Sequence, residues 1–201
     1  MKILFSLLRR SAKRWGKVRL SPQKGGPDCP PVLQAIAARR SIRRYESRAV
    51  PRPVIEQIMR AGSLAPSSKN RQPWHFIVLS GSAREGFLKA MEQGLARERR
   101  QPLLPQSAPF LSGAEYTLQV MRQAPVIIAL VNPLGIPLGQ PLSDEERIYE
   151  NCNAQSIGAA MENISLAAAA LGLGSLWIGD SWFACRELED YLQAQGTLNA
   201  V

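Results

Sequence analysis

Apolar residues follow two rhythms along this chain, and the switches between them mark its elements. Val32, Leu33 and Ile36 follow Pro30 and Pro31 at helical spacing. They predict a helix that opens at the prolines, where missing amide hydrogens cost nothing, and ends at Arg39-Arg40 with that stripe buried. Val54, Ile55, Ile58 and Met59 predict a second helix over 53–64, stopped by Pro66. The run Phe76 to Leu79 is short and continuously apolar and predicts a strand, and Val126 to Val131 predicts a buried one. Between them, 83–100 has the composition of a charged surface helix, 101–112 with Pro102, Pro105 and Pro109 is a loop, and Thr117 to Gln123 ends another helix.

Ser143-Asp144-Glu145-Glu146 is a capping box, with a hydroxyl at the cap and a carboxylate three residues on. The helix it starts is expected to run over 144–171. From Ala154 onward that helix is small or apolar on nearly every side, which places it in the interior. Ser175 to Gly179 is the next expected strand, and 185–195 a terminal helix. No internal repeat is visible, and the alternation of helices with strands indicates an α+β sandwich.

With 201 residues and 45% apolar content there is enough chain for one core and too little for two. The net charge of +9 raises the question of nucleic acid. Its distribution points away from a specific nucleic-acid surface. Residues 1–28 hold eight of the basic side chains against Asp28 alone, so the remainder carries only +2. Residues 1–29 form a basic leader ending in the linker Ser21-Pro22-Gln23-Lys24-Gly25-Gly26-Pro27-Asp28, and the folded domain is expected over 30–201. Residues 1–20 place Leu4, Leu8, Trp15 and Val18 near one helical face amid arginines and lysines. Two readings stay open for them: weak contact with an anionic membrane surface, or a loose solvated terminus. No apolar run reaches the ~20 residues of a spanning helix, and Ile3 to Leu8 is too short for a secretory h-region. A cytoplasmic protein is expected, peripheral to a membrane at most through this leader.

Cys29, Cys152 and Cys185 are odd in number and unpaired in spacing, and read as reduced thiols. His75 is the only histidine, so a histidine-based metal site is excluded and no catalytic acid or base is assigned. The remaining chemistry sits in three places. Arg39-Arg40-Ser41-Ile42-Arg43 offers guanidinium forks around a hydroxyl, suited to a phosphate or, equally, to a solvated basic helix end. Ala65-Pro66-Ser67-Ser68-Lys69-Asn70-Arg71-Gln72-Pro73-Trp74-His75-Phe76 puts hydroxyl and amide groups on a proline-broken loop running into a strand. In it Trp74 is expected to pack and His75 to open the strand. Gly172-Leu173-Gly174-Ser175-Leu176-Trp177-Ile178-Gly179 ends on a glycine where backbone can approach a ligand.

These three segments resemble the FMN-dependent nitroreductase family, and Ala124 to Val131 and the small-residue helix Ser156 to Ala168 extend the resemblance over roughly 31–194. The resemblance implies a nitroreductase-like sandwich with a central mixed, mainly antiparallel sheet flanked by helices around a long buried core helix. It implies an FMN site in which Arg39, Arg40, Ser41 and Arg43 surround the phosphate. Ser67, Ser68 and Asn70 would meet the polar edge of the ring, and the backbone at Ile178 and Gly179 would approach N5. It further implies an oxidoreductase taking hydride from NAD(P)H and passing electrons by a ping-pong route to a nitroaromatic, a quinone or another small acceptor. Dehalogenation, flavin-consuming chemistry and non-catalytic flavin binding are the alternatives. A homodimer is expected on the same ground, with Ala159, Ala160, Ala167 and Ala168 permitting close packing through the core helix; the same alanines would equally serve a monomer's core. The family continues beyond the position of Val201 into a Gly-x-Pro strand and a basic tail, which puts FMN affinity and dimer stability in question. Three readings stay open: the chain is truncated, the basic leader compensates, or a flavin fold persists with weakened activity.

Overall fold

The computed structural model describes residues 30–103 and 106–201. The leader and linker over 1–29 lie outside the described residues. The chain divides into two compact units, 1–38 and 39–201. In the first, helix α1 spans Pro31–Ala38. It starts at the prolines as expected, but Val32, Leu33 and Ile36 remain half or more exposed. Helical periodicity shows which residues share a face and says nothing about what covers that face.

The second unit carries the fold. Its elements are α2 (Arg52–Ser63), β1 (His75–Leu79), α3 (Gly81–Arg100), α4 (Leu111–Met121), β2 (Ile127–Asn132), α5 (Asp144–Ala170), α6 (Cys185–Leu192) and β3 (Thr197–Ala200). Short 3-10 turns cover Ser68–Asn70, Ala108–Phe110 and Asp180–Ala184. The strands form one antiparallel sheet in the order β1-β2-β3, with His75 opposite Val131 and Leu79 opposite Ile127. Between Leu130 and Val131 the β3 register slips, leaving Asn199 as the bulged residue.

Because side chains alternate across a strand, the sheet divides the interior in two. Ile127, Ala129 and Val131 of β2 enter a cluster with α3, α4 and α6, built around Phe87, Met91, Leu118 and Leu188. Leu130 faces the other way, into a smaller cluster with Ile58 of α2 and Ile157, Met161, Ile164 and Ala168 of α5. Strand β2 is covered on both faces, as its continuous apolar run requires, whereas β1 beside it leaves Val78 exposed. The capping box of α5 forms as expected: Glu146 N–H donates to the Ser143 hydroxyl while Ser143 N–H donates to the Glu146 carboxylate. At Gly62 an added Cβ would lie 2.8 Å from Ile164 Cγ1, so α2 and α5 approach closely only because that residue has no side chain.

Three expectations are corrected. Helix α3 is not a surface helix: Phe87, Leu88, Met91, Leu95 and even Glu98 are buried. Its charges occupy one face while its apolar residues fill the larger cluster. The segment Ser175 to Gly179 is not a strand. Ser175 makes a single parallel bridge to Ser41, the one parallel pairing beside the antiparallel sheet, and Ile178 N–H donates to Val201 O at 2.8 Å. The place of that strand is taken by Thr197–Ala200, too short and too near the last residue to show a period. Helix α6 also ends early, at Leu192, where Gln193 turns left-handed (φ 48°). Among the described residues no helix is long and apolar enough to cross a membrane.

Arg97 is the main polar clamp of the larger half. Its guanidinium pairs with Glu98, donates to both Glu187 oxygens at 2.8 and 3.1 Å, and donates to Phe183 O at 3.1 Å. Hydrogen bonding from Arg97 holds the Glu187 carboxyl below its ordinary value. Arg97→Ala removes the guanidinium beside a Glu98 carboxylate that is 1% exposed. The expected loss is about 3–5 kcal/mol, read as a lower urea midpoint. Since the folded Glu187 value is depressed, the pair's contribution is complete above the ordinary value of 4.5 and fades as pH falls below it. Stability of Arg97→Ala should therefore lose less than that of the parent protein between pH 5 and 3, about the range in which such a carboxylate titrates.

Candidate functional site

The residues singled out from the sequence fall on two loops and one turn around α5. On the first loop, Arg39 is half-buried and its Nε lies 3.7 Å from Glu162 Oε1 of α5. Arg40 and Arg43 are exposed and bend back over the backbone, with Arg40 Nη1 donating to Arg39 O at 2.7 Å and Arg43 Nη1 reaching Ser41 O at 3.5 Å. Ser41 is exposed and held by its bridge to Ser175, with Ile42 N–H donating to Ser175 O at 3.0 Å. The forks thus stand on a backbone pinned at two points.

The second loop is more constrained. Ser68 N–H donates to Ser156 Oγ of α5 at 3.2 Å, and that hydroxyl donates in turn to Cys152 O at 2.7 Å. Ser67 accepts twice, at Oγ from Gln72 N–H (3.0 Å) and at O from Asn70 N–H (3.1 Å). Arg71 lays its guanidinium 4.6 Å from the ring centroid of Tyr149, also on α5. Lys69, Asn70 and Gln72 all take left-handed backbone angles (φ 52°, 53° and 49°), and Asn70 is exposed. Trp74 stacks on Phe76 with ring centroids 6.2 Å apart, and His75 opens β1, both as expected.

Ile178 is buried at 8% exposure, whereas Gly179 is exposed and precedes the turn Asp180–Ala184. A Cβ built on Gly179 would meet no atom within 4 Å, so the space beside its backbone is open. Thr117 of α4 donates to Asp180 Oδ2 and ties this turn to the larger half.

Helix α5 therefore gathers two of the three groups. Glu162 meets Arg39 and Ser156 meets Ser68, six residues apart, which is about 9 Å along a helix axis. The third group joins through Ser41 and Ser175. An apolar cavity of about 310 Å³ borders two of the three segments, through Ile42 of the first and Gly174, Ser175 and Ile178 of the third, and is closed by Ile128, Met161 and Val201 among others. No residue of the Ser67–Gln72 loop lines it, so it is not the place where the forks, the amide and the glycine converge. Burial pushes the Tyr45 hydroxyl there upward, and it donates to Ile42 O at 2.9 Å. Ser156, Glu162, Tyr149 and Arg71 were not singled out from the sequence. In a helix rich in alanine toward its C-terminal half, a serine and an exposed glutamate look like packing and solvation until their partners are known.

The comparisons with known proteins assign the family. The sequence pattern of the nitroreductase family matches residues 36–198, and the chain belongs to that family. It is 34% identical over 148 residues to a protein of Methanothermobacter thermautotrophicus provisionally named NADH dehydrogenase/NAD(P)H nitroreductase; the match covers 74% of this chain and 60% of that protein. A 5,6-dimethylbenzimidazole synthase of Rhodospirillum rubrum is 28% identical over 151 residues, 70% of this chain and 64% of its own length. The chain thus spans somewhat under two thirds of these relatives. A crystal structure from Desulfovibrio desulfuricans, provisionally named a nitroreductase and solved with FMN, superposes with a TM-score of 0.59 at 29% identity, covering 85% of each chain.

Proposed function

We propose that this protein is an FMN-dependent NAD(P)H oxidoreductase that reduces a small acceptor such as a nitroaromatic or a quinone. The observation that carries it is the convergence on α5 of a guanidinium loop and a strained, amide-bearing loop, in a chain of the nitroreductase family. The residues suit FMN chemically. Arg39, Arg43 and the Ser41 hydroxyl complement a phosphate dianion, and Asn70 carries both a donor and an acceptor for a ring edge that has both. Gly179 leaves open space where a side chain would obstruct a flat ring. Arg40 adds charge to the same loop, while Ser67 and Ser68 are engaged in holding the backbone. When bound, FMN supplies hydride acceptance from NAD(P)H at N5 and electron transfer to the acceptor. The protein's part is to bind, orient and exclude water, which matches a chain whose single histidine is exposed at the start of a strand.

The FMN-bound Desulfovibrio protein and the nitroreductase-named relative support this reading. We also propose a homodimer. Its support is the apolar side chains that α5 exposes at Ile148 (60% exposed) and Tyr149 (42%), together with the exposed Leu134 and Leu138 of the preceding loop. A reaction other than acceptor reduction is the second reading, favoured by the similarity to a synthase rather than a reductase.

Two measurements test the function. In an anaerobic titration the purified protein with FMN should show bound-flavin absorbance that bleaches on adding NADH or NADPH. Flavin binding without bleaching would remove the NAD(P)H reading and leave non-catalytic binding. Arg39→Ala and Arg43→Ala should each weaken FMN binding by about 1–3 kcal/mol and leave riboflavin, which lacks the phosphate, almost unaffected. Equal losses for both ligands would move the phosphate elsewhere.

A further inference from the structure

We infer that Ser156 is a positioning residue: its hydroxyl holds the Ser67–Gln72 loop in a strained backbone so that Asn70 is presented to the ligand before the ligand arrives. The inference rests on the FMN reading above for the identity of that ligand, and on the structure for everything else.

Three of four consecutive residues, Lys69, Asn70 and Gln72, lie in the left-handed region. Asparagine tolerates that conformation because its short amide can bond locally. Lysine and glutamine have no such compensation, and each costs on the order of what a strained functional residue stores. Such a backbone persists only where its surroundings over-determine it.

Inside the loop the restraints are the two hydrogen bonds to Ser67, with the Arg71 N–H bond to Ser68 O at 3.1 Å and the Trp74 N–H bond to Gln72 O at 2.8 Å. They set the turn's shape but do not attach it to the body. Attachment comes from α5: the bond from Ser68 N–H to Ser156 Oγ and the Arg71 guanidinium over Tyr149. Arg71 and Tyr149 are both exposed, whereas Ser156 is 5% exposed. The Ser156 hydroxyl spends its hydrogen on Cys152 O, which turns its lone pairs toward Ser68. A buried acceptor with a fixed orientation is thus the restraint that water does not compete for.

The consequence is a division of labour. Ser156 touches no ligand in this account; Asn70 does, and Ser156 acts through the loop. Without the hydroxyl the loop relaxes toward ordinary backbone angles and Asn70 leaves its position. Glycine at 69 and 72 removes the strain that the hydroxyl opposes, so the tether should become dispensable.

The test compares the full chain with Ser156→Ala, Lys69→Gly/Gln72→Gly and the triple variant, reading FMN affinity by flavin fluorescence quenching and the melting temperature of the FMN-free proteins. Ser156→Ala should bind FMN roughly tenfold more weakly, a difference of about 1.4 kcal/mol, and the triple variant should recover most of that loss. The double glycine variant should melt about 2–4 °C higher than the parent when free of FMN, as about 1 kcal/mol of relieved strain gives in a chain of this size. Unchanged affinity in Ser156→Ala overturns the inference. So does a loss that the glycines do not restore, which would make Ser156 a packing residue, and so does a double variant that melts no higher. If the parent protein takes up no FMN, the functional proposal fails, while the melting temperatures still decide whether the loop is strained. If Ser156→Ala does not fold, the double variant decides by the same reading.

Discussion

Everything near the proposed site depends on helix α5 running unbroken, with one stripe from Asn153 to Ala168 buried against the core. Its capping box fixes where it begins, and Gly62 of α2, having no side chain, lets that helix approach until it sits against Ile164. Asn163 then fastens the two helices by donating from Nδ2 to Ala61 O at 3.1 Å. A helix that buries such a stripe gains most of its stability from this packing rather than from propensity. It also offers polar groups at chosen points along a rigid rod. Ser156 and Glu162 are those points, and the loops that bear Ser68 and Arg39 take their positions from them.

The sheet serves this helix indirectly. Antiparallel strands of four to six residues are modest by themselves. Together they separate a larger cluster, closed by Arg97 and α6, from a smaller one made by α2 and α5. The turn Asp180–Ala184 belongs to the larger half through Arg97 and Thr117, while the Asn70 loop belongs to the smaller. The groups proposed to meet one ligand are therefore fixed to different sides of the molecule.

Much of this was legible in the residues. The start of α5, the strand over 76–79, the buried strand over 126–131 and the roles of Trp74 and His75 follow from capping chemistry, unbroken apolar runs and proline punctuation. These are local signals, and local signals survive folding. What was not legible depends on partners distant in sequence. The stripe on α1 predicted burial and remains exposed. Helix α3 hid a core face behind its charges. Ser175–Gly179 looked like a strand because it is apolar and glycine-flanked, yet its neighbours allow one bridge at Ser41. Thr197–Ala200 became a strand only because β2 had an edge to pair with. For the site, the guanidinium and amide residues stood out by type, while Ser156 did not, because its role exists only when Ser68, 88 residues away, is beside it.

The unequal size of the two clusters bears on motion. Local opening draws on the region with the least buried apolar surface, and here that is the side formed by α2, α5 and the loops they hold. Backbone amides of α2 and the Ser67–Gln72 loop should then exchange with solvent through partial openings that leave Phe87, Met91 and Leu188 packed. A ligand seated between the loops would close those openings without touching the larger cluster, so that half of the molecule would keep the same mobility whether the site is filled or empty.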